Sequence, residues 1–210
     1  MTEPRYKNLL VWEPFPFLVL FVLVVVAGSI RPSDAPVAFW IAAGLTLVAT
    51  VYFVVAFIVQ GRRSKANPDA EGNLRTLDGL TLIESAHNDD EVAPFVAVAD
   101  VHRHQAAIEV TLTRGGDRVS AVLVPKASRW MGLRYRIGVQ LVAGSQVRHV
   151  GFLPDQVERR WADQLGELRR ANLFAQVPAR IRGSARPFTV ELDVSGLEDA
   201  IARRRAGTGA

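Results

Sequence analysis

The chain contains no cysteine. That excludes disulfide staples and thiolate metal ligands, and it suits a reducing compartment. Histidine is scarce, at four residues, which leaves little material for an imidazole-rich metal centre. Charge is missing altogether from residues 15–30 and 37–59. Acid is missing from residues 118–154, although bases recur there. Also missing is any strand–glycine-rich loop–helix pattern that would cradle a phosphate; Gly115-Gly116 and Gly144 read as turn glycines.

The two charge-free stretches are strongly apolar, and the short polar link Arg31-Pro32-Ser33-Asp34-Ala35-Pro36 separates them. Roughly 20 apolar residues cross the hydrocarbon core as a helix. Central Leu, Ile, Val and Phe each favour insertion by about 0.3–0.6 kcal/mol, and no charge opposes them here. The pattern predicts a transmembrane helical hairpin over residues 1–60, with spans at about 13–30 and 37–59. The first span reaches adequate length only if its flank near Trp12 also lies at membrane depth. Pro16 is acceptable in a first helical turn, where its missing N–H costs little. A cleaved signal peptide is the competing reading of the first run, with Arg5 and Lys7 as its basic end and Ala27-Gly28-Ser29 as its small-residue site. A second span so close behind favours the hairpin.

Orientation follows from basic flanks. Arg5 and Lys7 precede the first run, and Arg62, Arg63 and Lys65 follow the second. Positive flanks stay inside, so both termini are expected in the cytoplasm of a multi-pass inner (plasma) membrane protein. Ala38, Ala42, Thr46 and Thr50 recur every fourth residue, a stripe of small side chains that lets another helix approach closely. Packing within the same hairpin explains that stripe better than an oligomer contact does.

Residues 61–79 read as a polar juxtamembrane linker, and residues 80–205 as one cytoplasmic α+β domain. The tail 206–210 is expected to be disordered. Strand patterns dominate the domain. Ile108, Val110 and Leu112 alternate with polar residues and lead through Gly115-Gly116 into residues 119–124. Ile137, Val139 and Leu141 alternate, then residues 147–152 follow the turn at Gly144. Residues 174–181 and the alternating Phe188, Val190, Leu192 and Val194 close the set. Val157, Trp161, Leu165 and Leu168 mark an amphipathic helix opened by Pro154 and Asp155. Residues 87–105 are read as a second helix. The expected architecture is a small antiparallel, barrel-like sheet with one or two helices behind the membrane hairpin.

The order of motifs carries a family resemblance. Leu123-Val124-Pro125-Lys126 precedes Arg136-Ile137-Gly138-Val139-Gln140-Leu141. Val150-Gly151-Phe152-Leu153-Pro154 leads into the Trp161 helix, followed by Val177-Pro178-Ala179-Arg180-Ile181 and Thr189-Val190-Glu191-Leu192-Asp193. This resembles the HIRAN domain family in its stand-alone bacterial form, loosely over residues 80–193 and better over 119–193. The resemblance implies a small β-barrel, which in some relatives attached to DNA-processing enzymes binds single-stranded DNA ends. The family's Asn-Pro-x-Asp-x-x-Ala-Val loop is replaced here by Ser128-Arg129-Trp130-Met131-Gly132-Leu133-Arg134-Tyr135-Arg136. DNA binding therefore does not carry over with the barrel.

The basic stretch is the candidate binding site: Lys126, Arg129, Trp130, Arg134, Tyr135, Arg136 and Arg148. Arginines with interleaved aromatics hold phosphates and stack bases. They also meet anionic headgroups while the aromatics enter the interface. The bland reading is a solvated loop whose aromatics cap the barrel. Partners expected are the lipid bilayer and a membrane-associated protein. A tethered nucleic-acid module is the runner-up, disfavoured because the formal net charge of +4 comes largely from residues beside the membrane.

No catalytic residue, metal or cofactor is assigned. His102 and His104 would share a face on a strand and begin a metal site, but a polar surface pair explains them better. Asp89-Asp90-Glu91 reads as a charged loop or helix start, and Ser120, Ser128 and Ser145 carry no nucleophile signature.

Overall fold

The computed structural model describes residues 6–9, 12, 14–63, 74, 76–87, 95–129, 132–144 and 146–208. The chain divides into two compact units. One comprises Met1–Arg5, Asp69–Arg129 and Arg134–Ala210; the other comprises Tyr6–Pro68 and Trp130–Leu133.

The smaller unit holds helices α1 (Phe15–Ser29) and α2 (Pro36–Arg63), joined by the turn at Arg31 to Ala35. Pro14 flanks α1, Pro16 lies in its first turn and Pro36 opens α2, positions where no intrahelical N–H is required. The helices run antiparallel. Phe17 meets Phe53 edge-on, with ring centroids 4.1 Å apart. Thr46 Oγ1 donates to Ala42 O at 2.8 Å and lies 3.5 Å from Leu23 O. Ala42, Thr46 and Thr50 are half-buried on this side, whereas Ala38 is exposed. The Thr46 and Thr50 hydroxyls are satisfied by the carbonyls four residues back. Both helices are apolar all round, and α1 buries no residue. Among the described residues, one helix is long and apolar enough to cross a bilayer: Pro36–Val55, with a mean hydropathy of 2.1 and none of it buried. α1 has 15 residues, about 22 Å of helix, against a hydrocarbon core of about 30 Å. The helical pair is present, but α1 alone falls short of the span expected at 13–30.

The larger unit is α+β, with a mostly antiparallel seven-stranded sheet. Its strands are β1 (Thr81–Glu84), β2 (Phe95–Ala97), β3 (Arg118–Ser128), β4 (Tyr135–Ala143), β5 (Gln146–Phe152), β6 (Leu173–Arg182) and β7 (Thr189–Asp193). The order is β2-β7-β6-β3-β4-β5, every pair antiparallel, and β1 lies parallel to the first half of β6. The two ends of this path meet. Ala99, just beyond β2, exchanges both backbone hydrogen bonds with Phe152 of β5, at 2.8 and 3.0 Å. That contact requires Gly151: its φ is +147°, and a Cβ there would sit 2.2 Å from Ala99 O.

Inward-facing side chains alternate along the strands as the pattern requires. Leu123, Val139, Leu141, Val177, Val190 and Leu192 are buried within one core. Helices α3 (Gln105–Gly115), α4 (Asp155–Arg170) and α5 (Leu197–Thr208) add Ile108, Trp161, Leu165, Leu197 and Ile201 to it. α4 occupies the place that the Trp161 periodicity predicts.

Several elements differ from the sequence reading. Ile108, Val110 and Leu112 form a helix, not a strand. Ile108 and Thr111 are the buried pair, and Thr111 and Thr113 return their hydroxyls to Ala107 O and Glu109 O. Gly116, at φ +77°, caps α3 by donating to Leu112 O at 2.9 Å, so Gly115-Gly116 ends a helix instead of turning a hairpin. The helix expected over 87–105 is instead β2, the Ala99 bridge and a 3-10 turn at Val101–Arg103, with 88–94 outside the described residues. Val96 and Val98 suit a pleated, half-buried surface better than a helix. The larger unit carries three helices, not one or two, because Leu197, Ala200 and Ile201 bury one face of α5. That helix runs through residues 206–208 of the expected tail. The expected linker also contains structure. Leu74, Leu77 and Leu80 pack over Val122, Val124 and Phe174 on the outer face of the sheet, and Leu74 N–H donates to Gln140 Oε1 at 3.0 Å.

Candidate functional site

β3 and β4 carry the candidate basic residues to one end of the sheet, where α4 begins. Their register runs to Val124↔Gly138 and resumes at Ala127↔Arg136. Pro125 and Lys126 therefore oppose Ile137 alone, a single-residue bulge. Proline is tolerated there because no ladder N–H is needed. Arg169 of α4 fixes the bulge by donating from Nη1 to Pro125 O at 2.5 Å. Lys126 sits at φ +60°. Asp100 and Asn172, the other described non-glycine residues with positive φ, have short polar side chains that suit this region. Lysine does not, at a cost of about 1–2 kcal/mol.

The arginines meet acids drawn from elsewhere in the chain. Arg134 Nη2 donates to Glu158 Oε1 at 2.8 Å, and its Nη1 lies 3.4 Å from Asp155 Oδ2. Arg136 bonds Asp155 Oδ1 at 3.1 Å, Glu158 Oε2 at 3.4 Å and Leu153 O at 2.9 Å. Its Nη1 lies 3.5 Å from Asp100 Oδ2, and its guanidinium covers the Phe152 ring at 5.1 Å. Arg129 Nη1 is 4.0 Å from the same Asp100 oxygen. Three guanidiniums and three carboxylates share this cluster. The Glu158 side chain is 6% exposed; a carboxylate buried that deeply needs paired cations. Asp155 and Glu158 also lie in the first turn of α4, where the helix dipole favours negative charge.

Arg148 does not belong to the cluster. It pairs in register with Leu141 and donates to Gln146 Oε1 at 3.1 Å. That is five residues along β4 from Arg136, roughly 17 Å at strand rise. Arg114 donates to the same Gln146 oxygen. Trp130 lies outside the described residues. Tyr135 is half-buried, opposite Ser128. A cleft of about 60 Å³ opens between the bulge and α4, lined by Lys126, Arg134, Tyr135, Glu158, Arg159 and Asp163, among others.

A second polar constellation escaped the sequence reading. His87 Nδ1 lies 2.5 Å from Asp193 Oδ2. The other Asp193 oxygen accepts from Ser195 Oγ at 2.6 Å and from Ser195 N–H at 3.1 Å. Burial by itself pushes the Asp193 carboxyl upward, but the Ser195 and His87 hydrogen bonds outweigh it and hold the pKa below its ordinary 3.8. The residues are those of a hydrolase triad, yet the order is wrong. Ser195 donates to the carboxylate and is itself buried, so the aspartate, not an imidazole, receives its proton donor. The string joins the end of β1 to the start of α5. Gly196 marks how close the two pass, since a Cβ there would sit 1.9 Å from Ala86 O. Only Asp-x-Ser before a helix was visible in the sequence, and it did not point to His87.

His102 and His104 do not share a strand face. They fall in the 3-10 turn and at the start of α3, and the buried His104 ring stands edge-on to His149, 4.8 Å away. Among the described residues, no group of three or more histidine or acidic side chains is arranged so that it could hold a metal ion. Asp89, Asp90, Glu91 and Ser145 lie outside those residues. Ser128 Oγ is buried with no hydrogen-bond partner among the described residues.

Comparison with known proteins gives no match: no family model, no curated protein and no solved structure matches this chain.

Proposed function

We propose that this chain is an integral inner-membrane protein whose barrel is a non-catalytic cytoplasmic binding module for a membrane-associated protein. The observation that carries the proposal is the Pro36–Val55 segment, with a mean hydropathy of 2.1 and no residue buried. A core helix of that composition would be enclosed by its own chain, and an all-apolar helix in water would be penalised along its whole length. α1 joins α2 in the bilayer under this reading. Residues before Phe15 and local thinning of the membrane make up its missing length. Both termini face the cytoplasm, in keeping with the basic flanks.

Arg129, just after β3, and Arg134, just before β4, are tied to Asp100, Asp155 and Glu158. Neutralised arginines favour an adaptor role over nucleic-acid binding, which draws on uncompensated positive charge. The HIRAN-like kinship belongs to this proposal as well. The Ala99–Phe152 closure and the helix after Leu153 support it, and the loop chemistry does not extend it to DNA.

The absence of native cysteine makes a clean test of topology. Ser33→Cys in intact cells should react with a membrane-impermeant maleimide, while a tag after Ala210 stays protected from external protease. Digestion of the tag, or recovery of the native full-length chain from cytosol without detergent, would overturn the anchor. Salt-sensitive oligonucleotide binding that vanishes in Arg129→Ala/Arg134→Ala/Arg136→Ala would replace the adaptor reading with the nucleic-acid one.

A further inference from the structure

We infer that one half of the outer sheet face, at Arg118, Arg180 and Phe95, docks an acidic segment of the partner through a carboxylate held by the two arginines. The inference rests on the reading of this protein as a binding module and names the chemistry of its partner. Arg118, Ser120, Val122 and Val124 share one face of β3, because side chains alternate along a strand. The chain covers part of that face itself, with Leu74, Leu77 and Leu80 over Val122 and Val124. The part around Arg118 carries no such apolar cover among the described residues.

Arg118 lies directly opposite Arg180 of β6. Ile181 N–H donates to Asp117 O at 2.8 Å. The next pair, Arg118↔Arg180, is therefore the closer, non-hydrogen-bonded kind, with Cα atoms about 4.5 Å apart. Like charges placed directly opposite destabilise a sheet. The acids on this face are committed or distant. Glu191 stands opposite Arg180, yet its carboxylate pairs with Arg182 Nε at 2.6 Å. Asp193 is taken by Ser195 and His87. Glu84, opposite Gln176, lies four residues from Arg180 along β6, roughly 13 Å at strand rise. The exposed Arg118 side chain has no ion-pair or hydrogen-bond partner among the described residues. The Arg180 guanidinium rests over the Phe95 ring, 4.7 Å from its centroid. Phe95 is 39% exposed, and no other large apolar side chain of its unit is as open among the described residues.

Guanidinium forks on opposed positions suit a carboxylate, which they grip through paired N–H groups, and the incoming charge relieves their mutual repulsion. Other anionic surfaces fit less well. The Phe95 ring is capped by Arg180 and flanked by the His87 ring, 6.5 Å away and within 23° of parallel, which leaves it poorly placed to stack a base. A membrane surface draws on clusters of about 4–8 basic residues, and a single capped ring is too little to enter the interface.

The test titrates the full-length chain in phosphatidylcholine nanodiscs with fluorescein-labelled hexaglutamate. Arg118→Gln should weaken Kd about tenfold or more. Arg118→Lys should weaken it less, since lysine keeps the charge and loses the fork. The Tm of Arg118→Gln should equal or exceed that of the unaltered chain, because the opposed charge is gone. Arg203→Gln, exposed on α5, removes the same charge elsewhere and should leave Kd unchanged. Absence of saturable binding, an unchanged Kd in Arg118→Gln, or equal weakening by Arg118→Gln and Arg203→Gln overturns the inference. So does a lower Tm for Arg118→Gln, which would make the arginine structural. Tighter binding by Asp89→Asn/Asp90→Asn/Glu91→Gln would assign the face to the chain's own acidic run and overturn the partner. The same Arg118 dependence shown by hexathymidylate, or by phosphatidylserine vesicles, in place of hexaglutamate overturns it in favour of nucleic acid or lipid. Hexaglutamate binding that survives Arg118→Gln but is lost in Arg129→Ala/Arg134→Ala/Arg136→Ala keeps the binding-module reading and removes this face alone.

Discussion

The two units treat large apolar side chains in opposite ways. In the helical pair, Phe21, Trp40, Leu47 and Tyr52 are each about two-thirds exposed or more, and α1 buries nothing. In the α+β unit, Leu123, Phe152, Trp161 and Leu165 are 2% exposed or less. The α+β unit carries its own solvent-free interior. The helical pair leaves its apolar side chains largely uncovered by its own chain. Hydrophobicity alone therefore does not say where a core is; the number of neighbours a fold can supply does.

The contrast is broken most forcefully by substitution in the α+β unit. Leu165→Ala should cost about 2–5 kcal/mol in urea unfolding of the detergent-solubilised chain, because its neighbours collapse only partly into the space. Leu47→Ala, exposed on α2, should change that same midpoint by less than about 0.5 kcal/mol. Equal losses would mean that the two units share one core.

Glu158→Ala comes next. It leaves Arg134 and Arg136 facing a half-emptied cluster and should cost about 3 kcal/mol or more. Combining it with Arg136→Met should recover part of that loss, measured as a double-mutant cycle. An additive cycle would dissolve the cluster as a unit.

Asp193→Asn is smaller, at about 2 kcal/mol near neutral pH, from hydrogen bonds to a charged acceptor. The sign with pH is fixed by the depressed carboxyl. Its stabilisation is complete above the unfolded value of 3.8 and is lost as pH falls through the lower folded value. Unfolding midpoints of the two proteins should stay a constant distance apart from neutrality to about pH 5 and converge below pH 3.8. A gap that widens on acidification would contradict the assignment.

The smallest effect belongs to Arg148→Gln, at a half-exposed site whose partner Gln146 already accepts from Arg114. It should stay within about 0.5 kcal/mol and leave any ligand affinity of the Lys126 end unchanged. A loss there would return Arg148 to the site from which the strand register separates it.

Much of this organisation was legible in the chain. The two charge-free runs form α1 and α2, and Val157, Trp161, Leu165 and Leu168 form the buried face of α4, because a single helix face with period 3.6 has few other interpretations. Residues 105–115 were misread because Ile108, Val110 and Leu112 satisfy the strand period, while the helix they adopt is selected by packing of Ile108 and Thr111. Local alternation cannot weigh that packing. The site was half legible. Lys126, Arg129, Arg134 and Arg136 do gather with Tyr135 at one end of the sheet, since a hairpin keeps sequence neighbours close.

The sequence by itself determined which segments are apolar and free of charge, where α4 starts and which strands alternate, because those properties reside in the order of side chains along one element. Tertiary structure decided the rest. It brought Asp100, Asp155 and Glu158 to arginines that lack an acid anywhere near them in the chain, and it set His87 against Asp193 across 106 residues. It also closed β2 onto β5 at Gly151. Each of these contacts joins residues distant in sequence, and their energies depend on distance and burial in space, which no local pattern encodes.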